Sequence, residues 1–354
     1  MSASLSSAVP AKQRNGSMEL LKFVAAFFVV WIHAPFPGKL GQLVSTLARF
    51  AVPMFFLFSG YFNYGAQLSQ VSRRAWRIAL LFLLGLVLGQ LSNCICAVLS
   101  AGSAEVQLLP DIPTLTELFQ LLILHIPPHT GSLWYLAGLT ACYGVFGLFL
   151  RFWGGNRCYT PFYTLCLCLF VVFFFGDTLP PIYGGSGPTL LLRNGWFLGL
   201  PMFGLGMFLH QHQSYLLERF SVTSAKLLGI LLLGIFLSAA QGMALSYGNV
   251  PFGTMLQLPA LCLLAALHPR FFSLPQGLTT FLGKVSVWIY LLHLPILQIY
   301  ECWFQYPLIQ RIDEREALLA PLILAGVSFL CAAVLESVLL IAGVLRRRVT
   351  LNGT

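Results

Sequence analysis

The sequence predicts an all-α polytopic membrane protein with about ten transmembrane helices. Of its 354 residues, 58% are hydrophobic and only 9% are charged, whereas a soluble domain carries about 25% charged residues. Apolar runs close to the roughly 20 residues that a spanning helix needs recur from one end of the chain to the other. A chain of this composition has too few polar groups to cover a soluble globular surface.

Ten apolar segments account for the predicted helices, although the sixth and the eighth are short for a span. The segments are 18–36, 43–63, 77–100, 133–151, 158–175, 196–210, 226–247, 253–268, 286–305 and 317–345. A further apolar stretch, 114–126, is bracketed by prolines, which favours an interfacial or re-entrant segment. Residues 1–17 are predicted to be disordered in the cytosol, 18–348 to form a single membrane domain and 349–354 to be a cytosolic tail.

The distribution of positive charge predicts that both termini lie in the cytosol. With the N-terminus inside, 14 of the 20 lysines and arginines fall in cytosolic segments, four fall outside, and Lys22 and Arg49 lie within spans. The positive-inside rule expects this bias, and an even number of spans returns the C-terminus to the cytosol. Because the basic residues are dispersed between apolar runs, the net charge of +9 does not indicate a nucleic-acid partner.

The nine cysteines do not indicate a metal site. Neither Cys94-x-Cys96 nor Cys166-x-Cys168 has the usual spacing of zinc ligands, and no histidine pair accompanies them. We therefore interpret the cysteines as buried thiols that act as small apolar side chains, and we expect no metal cofactor.

The first predicted span carries the clearest candidate site. Glu19 lies one helical turn before Lys22, and His33 follows eleven residues later, about 20° from alignment with Lys22 at roughly 100° per residue. The three side chains therefore share one face of the helix. Ionisable groups inside a span are costly and normally face a protein interior or a water-filled cavity, so this face is predicted to line a functional site.

The second predicted span carries Arg49 near its outer end, at about the depth of His33. A positive charge at that depth favours the neutral imidazole that a general base needs; an arginine that only reaches the lipid headgroups is the alternative. Pro53 can kink this helix, and Ser59-Gly60 permits the close approach of another helix.

The order and spacing of these motifs resemble the integral-membrane acyltransferase family 3, whose members are bacterial multi-pass enzymes that O-acylate cell-surface glycans. The first helix of that family carries an acidic residue, an arginine three residues later and a histidine eleven residues after that. Glu19, Lys22 and His33 match this pattern, except that lysine replaces arginine. Lysine keeps the charge but lacks the planar fork of donors with which arginine binds phosphate or carboxylate.

The resemblance extends from about residue 18 to residue 340 through several further motifs. These are Phe50 to Gly60, Arg73-Arg74-Ala75-Trp76-Arg77, Leu133-Trp134-Tyr135-Leu136, Arg193-Asn194-Gly195, Tyr290-Leu291-Leu292-His293 and Glu336. The proline that usually follows the terminal acidic residue of the family is missing after Glu336.

The resemblance implies a membrane O-acyltransferase of the bacterial cytoplasmic membrane. It would move an acyl group, expected to be acetyl, from cytosolic acyl-CoA to a hydroxyl of an extracytoplasmic glycan or related envelope acceptor. In this interpretation His33 is the general base or a transient acyl acceptor, with Lys22, Glu19 and Arg49 completing the catalytic set.

The remaining motifs are expected to bind the two substrates. Arg73, Arg74 and Arg77 are expected to hold the phosphates of coenzyme A, although a cluster that only sets the topology is an alternative. The residues expected to contact substrate are Arg193, Trp134, Tyr135, His293 and Glu336. Trp134 and Tyr135 also suit an anchor at the membrane interface.

Two alternatives to an enzyme remain open at this point. Residues 49–61, 193–206 and 283–295 show a closer likeness to the membrane part of the serine racemases of vancomycin resistance, to which serine handling is attributed. A multi-pass carrier of a small polar solute such as an amino acid would also keep ionisable groups within spans. The third possibility is a membrane subunit without catalysis, which Lys22 and the missing proline after Glu336 favour. The arginine-rich entry to the third helix favours the enzyme.

Overall fold

Helices make up the regular structure of the described part of the chain. The computed structural model describes residues 15–101, 113–127, 133–154, 158–185, 187–245, 248–270, 274–304 and 314–352. It is 85% helical, and the described residues contain no strand, which confirms the predicted all-α polytopic fold. Most of the predicted disordered segment 1–17 and the last two residues of the predicted tail lie outside the described residues.

The described residues form thirteen α-helices. They are α1 Gly16–His33, α2 Gly38–Ala48, α3 Ala51–Tyr61, α4 Leu68–Ala101, α5 Leu115–Phe119, α6 Trp134–Trp153, α7 Thr160–Phe173, α8 Thr189–Leu192, α9 Leu200–Arg219, α10 Ser224–Ala244, α11 Thr254–Leu267, α12 Gln276–Phe304 and α13 Glu314–Asn352. Shorter helical segments adjoin them: π-helical Gln120–Leu124, Phe174–Thr178 and Gly195–Gly199, and the 3₁₀ turn Pro180–Tyr183.

Eight of the described helical segments are long and apolar enough to cross a membrane. All ten predicted segments contain helix, but the sixth and the eighth are not long and apolar enough to count as full spans. The second half of α9 is polar from His210 onward, and α11 has only 14 residues, or about 21 Å against the roughly 30 Å of a bilayer core. By length and composition, the described residues therefore contain eight full spans where about ten were predicted.

The second predicted span is broken at Arg49 and Phe50 into α2 and α3. Pro53, in the first turn of α3, has no N–H and its ring clashes with the carbonyl four residues earlier, which belongs to Arg49. The helix therefore cannot continue through this point, as the predicted kink at Pro53 anticipated. The break places Arg49 at a corner of the chain, where its side chain reaches a cavity.

Two glycines bring α3 and α9 into backbone contact. A Cβ atom on Gly60 would lie 1.8 Å from the carbonyl oxygen of Phe203, and one on Gly206 would lie 1.9 Å from that of Leu57. Neither position accepts a side chain without displacing backbone. The close approach predicted for Ser59-Gly60 is thus confirmed, and it fixes α3 as one wall of the interior.

The start of α1 is tied to the end of α11. The Asn15 side chain accepts a hydrogen bond from the Met18 amide at 3.0 Å and donates one to the Ala265 carbonyl at 2.8 Å. The Ser17 hydroxyl donates to the carbonyl of His268. These contacts, together with the packing of α1 against α12, fix the rotation of the helix that carries the candidate site.

Candidate functional site

The face of α1 that was predicted to line a site is bordered by two cavities, one toward each end of the helix. One cavity, of about 440 Å³, is lined by Glu19 and Lys22. The other, of about 390 Å³, is lined by His33. We call them the Lys22 cavity and the His33 cavity. The predicted stripe thus faces two separate spaces.

The His33 cavity gathers polar groups from four parts of the chain. His33, Arg49, Arg193 and Asn249 all line it, together with Trp134. The imidazole of His33 is exposed to this space. Arg49 and Arg193 both lie close enough to His33 to act on it electrostatically. The structure therefore brings together Arg49 and His33, as the sequence predicted, and places Arg193, which was predicted to contact substrate, in the same cavity.

Arg193 is positioned by the segment that follows it. The buried Asn194 side chain caps the π-helical turn by accepting hydrogen bonds from the amides of Trp196 and Phe197, at 2.9 and 3.0 Å. The guanidinium carbon of Arg193 lies 5.9 Å from the ring centroid of Trp134, within cation–π range. Burial and the positive charge of Arg49 lower the pKa of Arg193.

Asp177 and Asn249 form a buried pair close to the two arginines. The Asp177 carboxylate accepts hydrogen bonds from the Asn249 amide at 2.8 Å and from its side-chain Nδ2 at 2.7 Å. The same carboxylate interacts electrostatically with Arg49 and Arg193. Neither residue of this pair was predicted from the sequence. The available signal was an acidic residue at the end of an apolar run, where a charge is costly unless it is partnered.

His293 lies next to His33, and two tyrosines follow it toward the Lys22 cavity. The ring centroids of His33 and His293 are 5.3 Å apart. Tyr290 lies 5.8 Å from His293 and 5.4 Å from Tyr135, again between centroids, and both tyrosines are buried. Tyr135 was expected to contact substrate, with an anchor at the membrane interface as the alternative. The structure places it in the interior rather than at an interface, because its side of α6 packs against α3 and α12.

The Lys22 cavity is lined by three basic side chains and one acidic side chain. The Lys22 amine donates to Glu19 Oε1 at 3.2 Å and lies 5.3 Å from the ring centroid of Phe62. Arg74 and Lys284 line the same space. Lys284 was not among the predicted site residues, because in the sequence it is one of the basic residues that set the topology.

Among the three arginines at the entry to the third predicted helix, the structure brings Arg74 to the cavity. Its guanidinium donates to Asn63 Oδ1 at 2.6 Å and to the Phe62 carbonyl at 2.9 Å. Arg73 and Arg77 are exposed. They are four residues apart and therefore lie on the same face of α4. The predicted cluster of three is therefore divided between a cavity residue and two surface residues.

The Glu336 carboxylate is hydrogen-bonded to two side chains of α12. It accepts from the Lys284 amine at 2.8 Å and from the Trp288 indole N–H at 3.1 Å. The side chain is buried, so these contacts hold Lys284 at the cavity wall. This arrangement suits a residue that positions Lys284, and a direct contact between Glu336 and substrate stays a prediction.

The fold and the site define a multi-pass membrane protein with a basic cavity toward each end of one helix. The family model described as an acyltransferase domain matches residues 15–342, nearly the whole chain. The protein belongs to this family, acyltransferase family 3, and is a membrane acyltransferase that transfers groups other than amino-acyl groups. No curated protein matches the chain.

Proposed function

We propose that the protein transfers an acyl group, expected to be acetyl, from acyl-CoA in the Lys22 cavity to an acceptor hydroxyl in the His33 cavity. The supporting observation is that α1 lines both cavities. Lys22 and His33 are about 16 Å apart along the helix axis, at roughly 1.5 Å per residue. The pantetheine arm of coenzyme A is a long, narrow chain that suits such a path.

The Lys22 cavity has the charge that a donor phosphate needs. Lys22, Arg74 and Lys284 line it, and Glu19 compensates part of their charge. Charge-assisted hydrogen bonds from lysine and arginine are the usual contacts for phosphate groups. The distribution of basic residues along the sequence supports a cytosolic location for this end of the molecule, where acyl-CoA is found.

The His33 cavity supplies the groups for acyl transfer. His33 removes the proton from an acceptor hydroxyl while the hydroxyl oxygen attacks the thioester carbonyl carbon. The tetrahedral intermediate carries its negative charge on the former carbonyl oxygen, which Arg49 or Arg193 stabilises. The carbon–sulfur bond then breaks, and the proton on His33 passes to the departing thiolate, which leaves an ester and free coenzyme A. A transient acyl group on His33 is the alternative route.

The acceptor is a hydroxyl of an extracytoplasmic glycan or related envelope molecule in this proposal. Trp134 lines the His33 cavity beside Arg193, and an aromatic wall next to hydrogen-bond donors suits a sugar. The membrane is the cytoplasmic membrane of a bacterium, as the resemblance to acyltransferase family 3 implies. Transfer requires the thioester end of the donor to travel along α1 from the Lys22 cavity to the His33 cavity.

A carrier is the second candidate function. Two distinct cavities, one toward each end of α1, also suit alternating access from the two sides of a membrane. The segments 49–61, 193–206 and 283–295, with their likeness to the membrane part of serine racemases, contribute Arg49, Arg193 and Lys284 to the two cavities. Membership of an acyltransferase family favours the enzyme.

The proposal is tested by incubating membranes that contain the protein with labelled acetyl-CoA and following the label into envelope glycan. His33→Ala should abolish incorporation while the amount of protein in the membrane stays normal. His212→Ala, which removes a histidine near the polar end of α9, is the matched control and should keep full activity. Retained activity in His33→Ala contradicts the proposal. Absence of labelling by the unsubstituted protein, together with solute uptake by intact cells, supports the carrier.

A further inference from the structure

Two cysteines meet where α4 and α12 run side by side. The Ser92 hydroxyl on α4 donates to the side-chain carbonyl of Gln298 on α12 at 2.6 Å. One turn further along both helices, the Cys302 thiol lies 3.4 Å from the backbone carbonyl of Cys96. The helices are therefore parallel and in register here, with Cys96 opposite Cys302.

The two thiols are in direct contact. The Cys96 thiol donates to the backbone carbonyl of Gln298 at 3.5 Å. The Cys302 thiol lies within hydrogen-bonding range of the Cys96 thiol. Both side chains are half-buried, so a small reagent can reach them. Disulfides form between cysteines whose Cβ atoms are about 3.5–4.5 Å apart, a separation that thiols in mutual contact can reach with little backbone movement.

The thiol pair lies at the same end of the molecule as His33. Along α12, Lys284 lines the Lys22 cavity, Leu294 lines the His33 cavity, and Cys302 follows two turns later. In the orientation that the basic residues favour, this end lies outside the cytosol. Thiols in that compartment are oxidised, whereas cytosolic thiols are kept reduced.

We propose that Cys96 and Cys302 form a disulfide on the extracytoplasmic side of the membrane. One thiolate attacks the disulfide bond of an extracytoplasmic disulfide oxidant and forms a mixed disulfide with it. The second thiolate then attacks the cysteine sulfur of that mixed disulfide and displaces the oxidant's thiolate. The two cysteines lose two electrons and two protons, and the oxidant leaves as a dithiol. The bond ties α4, which packs against α6, to α12, which carries His293. It fixes two walls of the site relative to each other.

This proposal rests on the membrane orientation used in the proposed function, but not on the acyl-transfer reaction. The test is therefore a thiol count and needs no transferase assay. Cells are quenched in acid, the protein is denatured, and cysteines are modified with a polyethylene glycol maleimide before or after reduction. The chain has nine cysteines, so the unsubstituted protein should carry seven tags without reductant and nine with it.

Serine variants identify the pair. Cys96→Ser and Cys302→Ser should each carry eight tags with or without reductant, because the partner thiol is then left unpaired. Cys94→Ser, on the same helix and two residues away, is the matched control and should still gain two tags on reduction. Nine tags on the unreduced protein overturn the proposal, as does a gain of two tags that persists in Cys96→Ser. Nine tags in cells that fall to seven after oxidised glutathione also overturn it, since the pair would then be reduced in its native compartment.

Discussion

The imidazole rings of His33 and His293 lie 5.3 Å apart between centroids, one on α1 and the other on α12. Nδ1 of His293 lies 2.7 Å from the Tyr290 carbonyl, so this nitrogen carries a proton and donates it. Nε2 of His293 is buried and has no hydrogen-bond partner in the described part of the chain. A buried acceptor beside the proposed base suits a residue that orients His33 or the incoming hydroxyl.

Two substitutions of His293 separate the roles of its nitrogens. His293→Gln keeps an acceptor near the position of Nε2, whereas His293→Asn keeps only a polar group near Nδ1. We expect kcat of the asparagine variant to fall at least tenfold, about 1.4 kcal/mol, and the glutamine variant to keep most of the rate. KM for acetyl-CoA should stay unchanged in both, because the Lys22 cavity is untouched. Equal losses in the two variants would count against an orienting role for Nε2.

The part of the site that could be predicted from the sequence is the part set by local helix geometry. The alignment of Glu19, Lys22 and His33 follows from the helical period, and the structure places all three beside cavities. The break at Arg49 likewise follows from a local rule, the missing N–H of Pro53. Local patterns of this kind are visible in a single sequence because both partners lie within a few turns of each other.

The missing part of the site depends on how distant helices pack. Asp177 and Asn249 are 72 residues apart, and no local pattern relates them. The rotation of α4 decides that Arg74 faces a cavity while Arg73 and Arg77 are exposed, and that rotation is set by contacts with α6 and α12. The interior position of Tyr135 has the same origin. Such facts require the tertiary structure.

The donor site can be tested by comparing the arginines of α4. Arg74→Gln should raise KM for acetyl-CoA about tenfold, because it removes a charge-assisted contact worth roughly 1.5 kcal/mol or more. Arg73→Gln and Arg77→Gln, which change exposed side chains on the same helix, should stay within about twofold of the unsubstituted protein. Saturation curves on membranes measure both values. A larger effect at Arg73 than at Arg74 would place the phosphates outside the Lys22 cavity.

The lysine that replaces the family arginine can be tested directly. Lys22→Arg keeps the charge beside Glu19 and should leave KM for acetyl-CoA unchanged or lower, since guanidinium binds phosphate with two donors. Lys22→Met removes the charge and should raise KM about tenfold, with kcat less affected. Lys39→Met changes an exposed lysine at the start of α2 and is the control. If Lys22→Met leaves KM unchanged, Lys22 does not hold the donor.

Gly283 allows Glu19 to lie against α12. A Cβ atom at this position would be 1.8 Å from Glu19 Oε2, so Gly283→Ala must displace the carboxylate and its contact with Lys22. We expect a loss of about 1–3 kcal/mol in the free energy of unfolding, as for other overpacked sites, together with reduced activity. Gly277→Ala on the same helix meets no atom within 4 Å and should be neutral or stabilising. Thermal unfolding in detergent measures both, and equal stability of the two variants would contradict the packing argument.

His125 should make the stability of the protein depend on pH. Its Nδ1 accepts a hydrogen bond from the Gly195 amide at 3.2 Å, and burial lowers the pKa of His125 to about 4. An unfolded histidine titrates near pH 6.5, so between these values the unfolded chain binds more protons. The contribution of His125 to stability is therefore complete above about pH 6.5 and declines as the pH falls toward 4.

The measurement is the unfolding temperature of the purified protein at pH 7 and pH 5. His125→Asn keeps an acceptor near Nδ1, tolerates the positive φ of 58° at this position and does not titrate. The unsubstituted protein should lose more stability between the two pH values than this variant. Only the unsubstituted protein has a buried imidazole at position 125, which stays neutral in the folded state while the unfolded chain takes up a proton. His212→Asn changes a histidine that lies apart from the Gly195 contact and should keep the full pH dependence. An identical decline in the unsubstituted protein and in His125→Asn would show that other groups govern the response to acid.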